Sequence, residues 1–200
     1  MLVKLRYLIL ISIVAIAIVT ASMATAQSNY LQQGKQYYDR GQYSQAVIVW
    51  QQVIEEDREI ENKIIGYNYQ AIAFQDLGEY TKSEKALQLA FKLLENNDNS
   101  FLQAQLLNSK GSLEYRTGKY ENALATWKQA ETIYRDLEEV EPLLRSRSAS
   151  LIARSQINQA QALRSLGYYR RAKNILETAN NELEALPNSA LKVKSLQSLG

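Results

Sequence analysis

Ala46, Trp50 and Val53 are spaced four and three residues apart, which sets them along one face of an α-helix. The same stripe returns as Ser83, Leu87 and Ala90, as Ala123, Trp127 and Ala130, and as Ala172, Leu176 and Ala179. A glycine and a tyrosine precede each stripe at fixed offsets: Gly41 and Tyr43, Gly78 and Tyr80, Gly118 and Tyr120, Gly167 and Tyr169. Seven residues before each glycine stands another small residue, Gly34, Ala71, Gly111 or Ala160. The pattern predicts four helix–turn–helix units near 27–60, 64–97, 104–137 and 153–186. In each, the glycine supplies a left-handed turn after the first helix and the tyrosine covers that turn. The small residues let the two helices approach, and the Trp or Leu fills the space toward the next unit. One such pair cannot bury its apolar face alone, so the units must stack.

This phased pattern resembles the tetratricopeptide repeat (TPR). The resemblance implies an all-α, right-handed superhelical solenoid over 27–186, with the first helix of each unit lining a concave groove. The chain departs from the family in several places. Its turn glycines lie 37, 40 and 49 residues apart, against about 34 in the family. The proline that closes the second helix is missing; Arg58, Glu95, Arg135 and Glu184 stand there. The second helices are therefore expected to run on by a turn or more. Asp136–Ala149 is the longest insertion, and Pro142 within it suits the first turn of a helix. One long helix is expected from Pro142 to Leu166. The third unit has Glu114 where an aromatic is expected, with Tyr115 beside it. Pro187-Asn188 reads as a break, and Leu191 to Gly200 as the opening of an incomplete fifth repeat over 187–200. TPR arrays normally close with a polar capping helix. The expectation is a longer protein, or an apolar end through which the array self-associates.

The first 26 residues obey another pattern. Lys4 and Arg6 precede an apolar run from Leu8 to Val19, and small residues follow to Ala26. These are the parts of a secretory signal cleaved after Ala26. The apolar run is short of the ~20 residues a spanning helix needs. Export to the periplasm or the medium is expected, with an uncleaved membrane anchor as the alternative. Without Lys4 and Arg6 the chain holds 21 basic and 21 acidic residues. That balance gives no reason to expect nucleic-acid binding.

Cysteine and histidine are both absent. A disulfide framework, a thiolate nucleophile and most zinc and acid–base sites go with them. Ser146, Ser148 and Ser150 form a cluster without a base or a nucleophile elbow. No catalytic residue, metal or cofactor is assigned, and the chain is read as a non-enzyme.

By the register of the TPR family, the second, fifth, ninth, twelfth and thirteenth residues of each unit face the groove. Tyr38, Asn68, Gln75, Asn108, Tyr115, Arg116, Arg154 and Arg164 are the candidates there for holding a protein or peptide. Asn offers a donor and an acceptor, Tyr a rigid ring, and Arg a forked donor for carboxylates. A solvated polar face is the competing reading. The carboxylate clamp of chaperone-binding TPRs is not matched: Leu31, Lys35, Tyr69, Gln105 and Ser109 occupy its positions. From Pro142 to Leu176 there are seven basic residues and no acid. That run either meets an acidic partner or pairs with acidic stretches of neighbouring repeats.

Longer phrases carry a closer resemblance. They include Gln33-Gly34-Lys35, Tyr43-Ser44-Gln45-Ala46-Val47, Val49-Trp50-Gln51-Gln52, Ser155 to Leu163, and Leu166 to Ala172. These resemble secreted cyanobacterial proteins in which TPRs precede a CHAT domain, a caspase-like peptidase fold. The catalytic His and Cys of that fold have no counterpart here. The resemblance implies a partner- or substrate-presenting arm.

Overall fold

The computed structural model describes residues 30–140 and 145–184, which form eight helices and no strand. They are α1 (30–39), α2 (Tyr43–Glu56), α3 (Ile60–Asp76), α4 (Tyr80–Leu94), α5 (Ser100–Arg116), α6 (Tyr120–Val140), α7 (Arg145–Ser165) and α8 (Tyr169–Glu184). They pair as four hairpins stacked in chain order. Pro142, the leader with its expected cleavage at Ala26, and the expected fifth repeat lie outside the described residues.

All four hairpin turns are built alike. Gly41, Gly78, Gly118 and Gly167 have φ between +74° and +83°, where a side chain would be strained. The residue after each glycine donates its N–H five residues back, as Gln42 does to the Tyr37 carbonyl at 2.9 Å. This satisfies carbonyls that the ending helix leaves open. The residues lining each hairpin are buried: Ala46, Trp50 and Val53, and their counterparts Ser83, Leu87 and Ala90, Ala123, Trp127 and Ala130, and Ala172, Leu176 and Ala179. Ser83 keeps its hydroxyl paired by accepting from Gln75 Nε2 at 3.1 Å.

Small residues upstream match the bulk they face. A Cβ on Gly34 would lie 2.2 Å from Trp50 Nε1, and one on Gly111 would lie 2.6 Å from Trp127 Nε1. Each indole N–H donates to a carbonyl of the first helix, Trp50 to Leu31 at 3.2 Å and Trp127 to Asn108 at 3.1 Å. Where the bulky residue is Leu87 or Leu176, the small residue is Ala71 or Ala160.

The extra residues of the first two units go elsewhere than expected, whereas the long first helix expected from Pro142 is found over Arg145–Ser165. α2 stops at Glu56 and α4 at Leu94, short of the positions of the missing prolines. Among the described residues, only α6 runs well past, to Val140. Asp57 explains the first stop. Its backbone is extended (ψ 143°), and its carboxylate accepts from Glu59 N at 2.9 Å and Asn62 Nδ2 at 3.1 Å. The first helices lengthen at their starts instead: α3 begins at Ile60 and α5 at Ser100, each about one turn early, and α7 begins at Arg145, about two turns early. Asn99 caps α5 by accepting from Leu102 N at 3.0 Å.

Glu114, at the expected aromatic position, accepts from Thr126 Oγ1 at 2.7 Å within its own hairpin. The third and fourth repeats are stitched by a polar node. Glu131 accepts from Arg135, Gln156 and Gln159, and Arg135 also reaches Glu182 at 2.7 Å. In the basic run of α7 and α8, Lys173 pairs with Glu177 of its own helix at 3.8 Å. Arg154, Arg164 and Arg170 have no acidic partner among the described residues. Among α2 to α8, α4 and α5 are the least closely packed neighbours in sequence, and α3 packs directly on α5 across that seam.

Candidate functional site

One cavity of about 550 Å³ touches all four first helices, α1, α3, α5 and α7. That contact requires the face formed by these helices to curve inward. Lys35, Tyr38 and Asp39 come from α1, and Asn68, Tyr69 and Ile72 from α3. Gln105 and Ser109 come from α5, and Ser150, Leu151 and Arg154 from α7. Trp50 reaches it from α2, stacked on Tyr69 with ring centroids 5.1 Å apart. Ser150 and Leu151 lie in the two turns by which α7 starts early. The lengthened start of α7 thus supplies part of one wall of the cavity.

Polar groups in the cavity differ in how they are satisfied. Lys35 pairs with Asp39 at 2.5 Å. Tyr38 donates to Asp76 Oδ2 at 2.5 Å, and Arg116 grips the other oxygen of Asp76 at 2.6 Å. This chain crosses the first three repeats. Burial, and next the hydrogen bond to Asp76, hold the Tyr38 phenol well above the ordinary tyrosine range. Asn68 is 6% exposed, and its Oδ1 has no hydrogen-bond partner. A buried acceptor left unpaired costs about 1–3 kcal/mol. Arg154 is exposed at the cavity's α7 wall.

Of the eight candidates read from sequence, Tyr38, Asn68 and Arg154 meet in this cavity. Asn108 and Gln75 do not face a groove. Asn108 is 5% exposed, donates to Tyr134 OH at 3.3 Å and accepts from Ser155 Oγ at 3.1 Å. Gln75 is 3% exposed and donates to Ser83 Oγ and the Ser109 carbonyl, both at 3.1 Å. Of the fifth and twelfth positions, Asn68, Gln75, Asn108 and Ile157 are buried, whereas Tyr38 lines the cavity and Arg164 is exposed. The second, ninth and thirteenth positions remain at the surface. Tyr115 sits outside the cavity lining, stacked on Tyr120 and Trp127 and sharing a hydrogen bond with Ser165 at 3.2 Å. Arg116 is occupied by Asp76, and Arg164 is exposed away from the cavity. Trp50 was read as core alone, Tyr69 only as a mismatch to the carboxylate clamp and Ser150 only as part of a serine cluster, and Leu151 carried no signal. The early start of α7, hinted at by Pro142, is what could have located the last two.

Tyr38 and Tyr115 also decide how the turn tyrosines pack. Tyr43 and Tyr120 stack on them with centroids 5.2 Å apart. Tyr80 and Tyr169, whose units have Gln75 and Arg164 instead, are 37% and 69% exposed.

A second cavity, of about 800 Å³, follows the loose seam between α4 and α5, with Leu87, Phe91, Leu107 and Leu113 among its lining and Lys92 and Lys110 beside them. It contains none of the sequence candidates. Among the described residues, no group of three or more His, Cys, Asp or Glu side chains is placed to hold a metal. No helix among them is long and apolar enough to cross a membrane.

No family model matches the chain, and no curated protein matches it. Solved structures do. A kinesin-light-chain-like protein from Podosopora anserina with nearly identical TPR-like repeats is similar with a TM-score of 0.62 at 17% identity, over 86% of this chain and 82% of that one. BtubC (BKLC) from P. vanneervenii is similar with a TM-score of 0.64 at 18% identity, over 82% of this chain and 66% of that one. At these identities the likeness is one of fold. The described chain is an all-α TPR-like solenoid.

Proposed function

We propose that this chain is an extracytoplasmic scaffold that binds a protein or peptide in the groove formed by α1, α3, α5 and α7. The observation that carries the reading is the cavity shared by all four repeats, with the unpaired, buried Asn68 in its lining. Pockets of ~300–1,000 Å³ with an apolar wall and a few convergent polar groups are where proteins hold ligands. An extended segment would lie across the first helices, as such grooves allow. The basic, apolar and small-residue phases of residues 1–26 support export, with Gln27 as the first mature residue.

The test is site-specific photo-crosslinking in intact cells. A photoreactive side chain at Gln105 is expected to capture a discrete partner, and one at the exposed Ile48 is not. Equal capture at both positions would set the groove aside. Intact-mass analysis of the captured protein reads export at the same time; a chain that still starts at Met1 in the cytosol argues against it. A second reading, an arm of a longer CHAT-type peptidase, rests on the phrases around Trp50 and Ser155. It requires the reading frame to continue past Gly200 into a domain with a His and a Cys, and a stop codon there removes it.

A further inference from the structure

The four hairpin turns share one backbone, and the fourth differs from the rest in what it exposes. The first three mix both signs of charge: Asp39 with Arg40, Glu79 with Lys82, Lys119 with Glu121. Around the fourth stand Arg164, Arg170, Arg171 and Lys173, with no acid between Pro142 and Leu176. Lys173 is answered by Glu177 at 3.8 Å. Arg164, Arg170 and Arg171 are exposed, with no acidic partner among the described residues.

The rings at this turn are also out of place. Tyr43 and Tyr120 stack on Tyr38 and Tyr115. Arg164 holds that position in the fourth hairpin, and Tyr169 is left 69% exposed. Tyr168 adds a second ring directly after the turn glycine, where Gln42, Glu79 and Lys119 stand in the other turns. It is 51% exposed, with the Arg171 guanidinium 5.5 Å from its ring centre. Neither of the cavities described above reaches this tip, so its partner must itself be a surface. A tyrosine has an apolar body and a polar end, and it settles at the level of lipid headgroups. Arginines beside it lay their stems along the apolar layer and meet anionic headgroups. An acidic protein or polysaccharide answers the charge but offers the rings no such layer.

We infer that the tip of the fourth hairpin docks on an anionic lipid bilayer: Tyr168 and Tyr169 enter the interface, and Arg164, Arg170 and Arg171 hold lipid phosphates. The contact lies outside the groove cavity and does not depend on the groove reading.

The experiment floats the full chain with vesicles of phosphatidylcholine, alone or mixed with phosphatidylglycerol. The parent is expected on the mixed vesicles, and less of it as salt rises and screens exposed charge. Arg170→Gln with Arg171→Gln is expected to bind about tenfold to thirtyfold more weakly. Tyr168→Ser with Tyr169→Ser is expected to bind about threefold to tenfold more weakly. Arg40→Gln with Lys119→Gln removes the same charge from the first and third turns and is expected to bind as the parent does. Equal losses in the two charge pairs would reduce the attraction to net charge and overturn the inference. So would a parent that takes neutral and mixed vesicles alike, or a tyrosine pair without effect. Retention on an immobilised acidic polysaccharide but on no vesicle would assign the tip to that partner instead. The sequence has no cysteine, so a dye sensitive to its surroundings can report the tip apart from residues 1–26. On mixed vesicles the emission of dye on Tyr168→Cys is expected to shift to the blue, and that of dye on Gln42→Cys is not. A tip dye that stays in water overturns the inference even where the vesicles carry the chain.

Discussion

Two kinds of glycine occupy this chain, and each should fail in its own way when replaced. At Gly111 the obstacle is space, since a methyl group would meet Trp127 Nε1 at 2.6 Å. Gly111→Ala should cost about 1–3 kcal/mol by overpacking. Adding Trp127→Leu should restore much of that, because the second and fourth hairpins already use Ala with Leu at the same two positions. A double-mutant cycle by urea unfolding measures the coupling, and additive losses would mean the two side chains do not compete. At Gly118 nothing lies within 4 Å of the missing Cβ, but φ is +79°. Gly118→Val should therefore cost about 1–3 kcal/mol through the backbone alone, and Gly118→Asn distinctly less, since Asn tolerates the left-handed region. Equal losses for Val and Asn would contradict this. Both glycine classes were legible as phased small residues. The roles of Asn108 and Gln75 were not. An Asn on a first helix looks the same in sequence whether it meets solvent or, as Asn108 does, Tyr134 and Ser155 of other helices.

Helix identity was legible for every described element, and so was the length of α7, whereas the other helix ends were not. The missing prolines suggested longer second helices. Asp57 stops α2 through its own hydrogen bonds, which no count of spacing reveals. The start of α3 is tied in a similar way. Asn97, in the link after α4, donates to Glu61 Oε1 at 2.8 Å, and this hydrogen bond holds the Glu61 carboxyl below its ordinary 4.5. A depressed carboxyl contributes stability above the unfolded value and loses it as pH falls through the folded one. Asn97→Ala should thus destabilise the array near neutral pH, and the difference from the parent should shrink as pH drops below 4.5. Thermal unfolding of both proteins across acid pH decides it; a difference that grows on acidification has the wrong sign.

At the scale of the molecule, the number and order of the hairpins were legible in the phased glycines, as was the length of α7. Family register places evenly spaced first helices around an open face. Here the two added turns of α7 bring Leu151 to the same cavity as Lys35 and Tyr38, where Arg154 already lies by that register. The seams are unequal as well. α4 and α5 pack loosely, whereas the Arg135 node joins the third and fourth hairpins. Solenoid stability is a sum over such seams. Native-state hydrogen exchange should show α3 and α4 opening together at lower free energy than α6 and α7. Uniform protection from α3 to α7 would contradict an uneven array. The pairing of Gly34 with Trp50 and of Gly111 with Trp127 has one more consequence. The first hairpin matches the third, with Gly, Trp and a tyrosine beneath the turn, and the second matches the fourth, with Ala, Leu and no tyrosine there. The modular letter of this solenoid is therefore a doublet of hairpins. Anyone lengthening, shuffling or idealising it should splice in doublets, because a single inserted hairpin would set tryptophan beside tryptophan or leucine beside leucine and break the alternation.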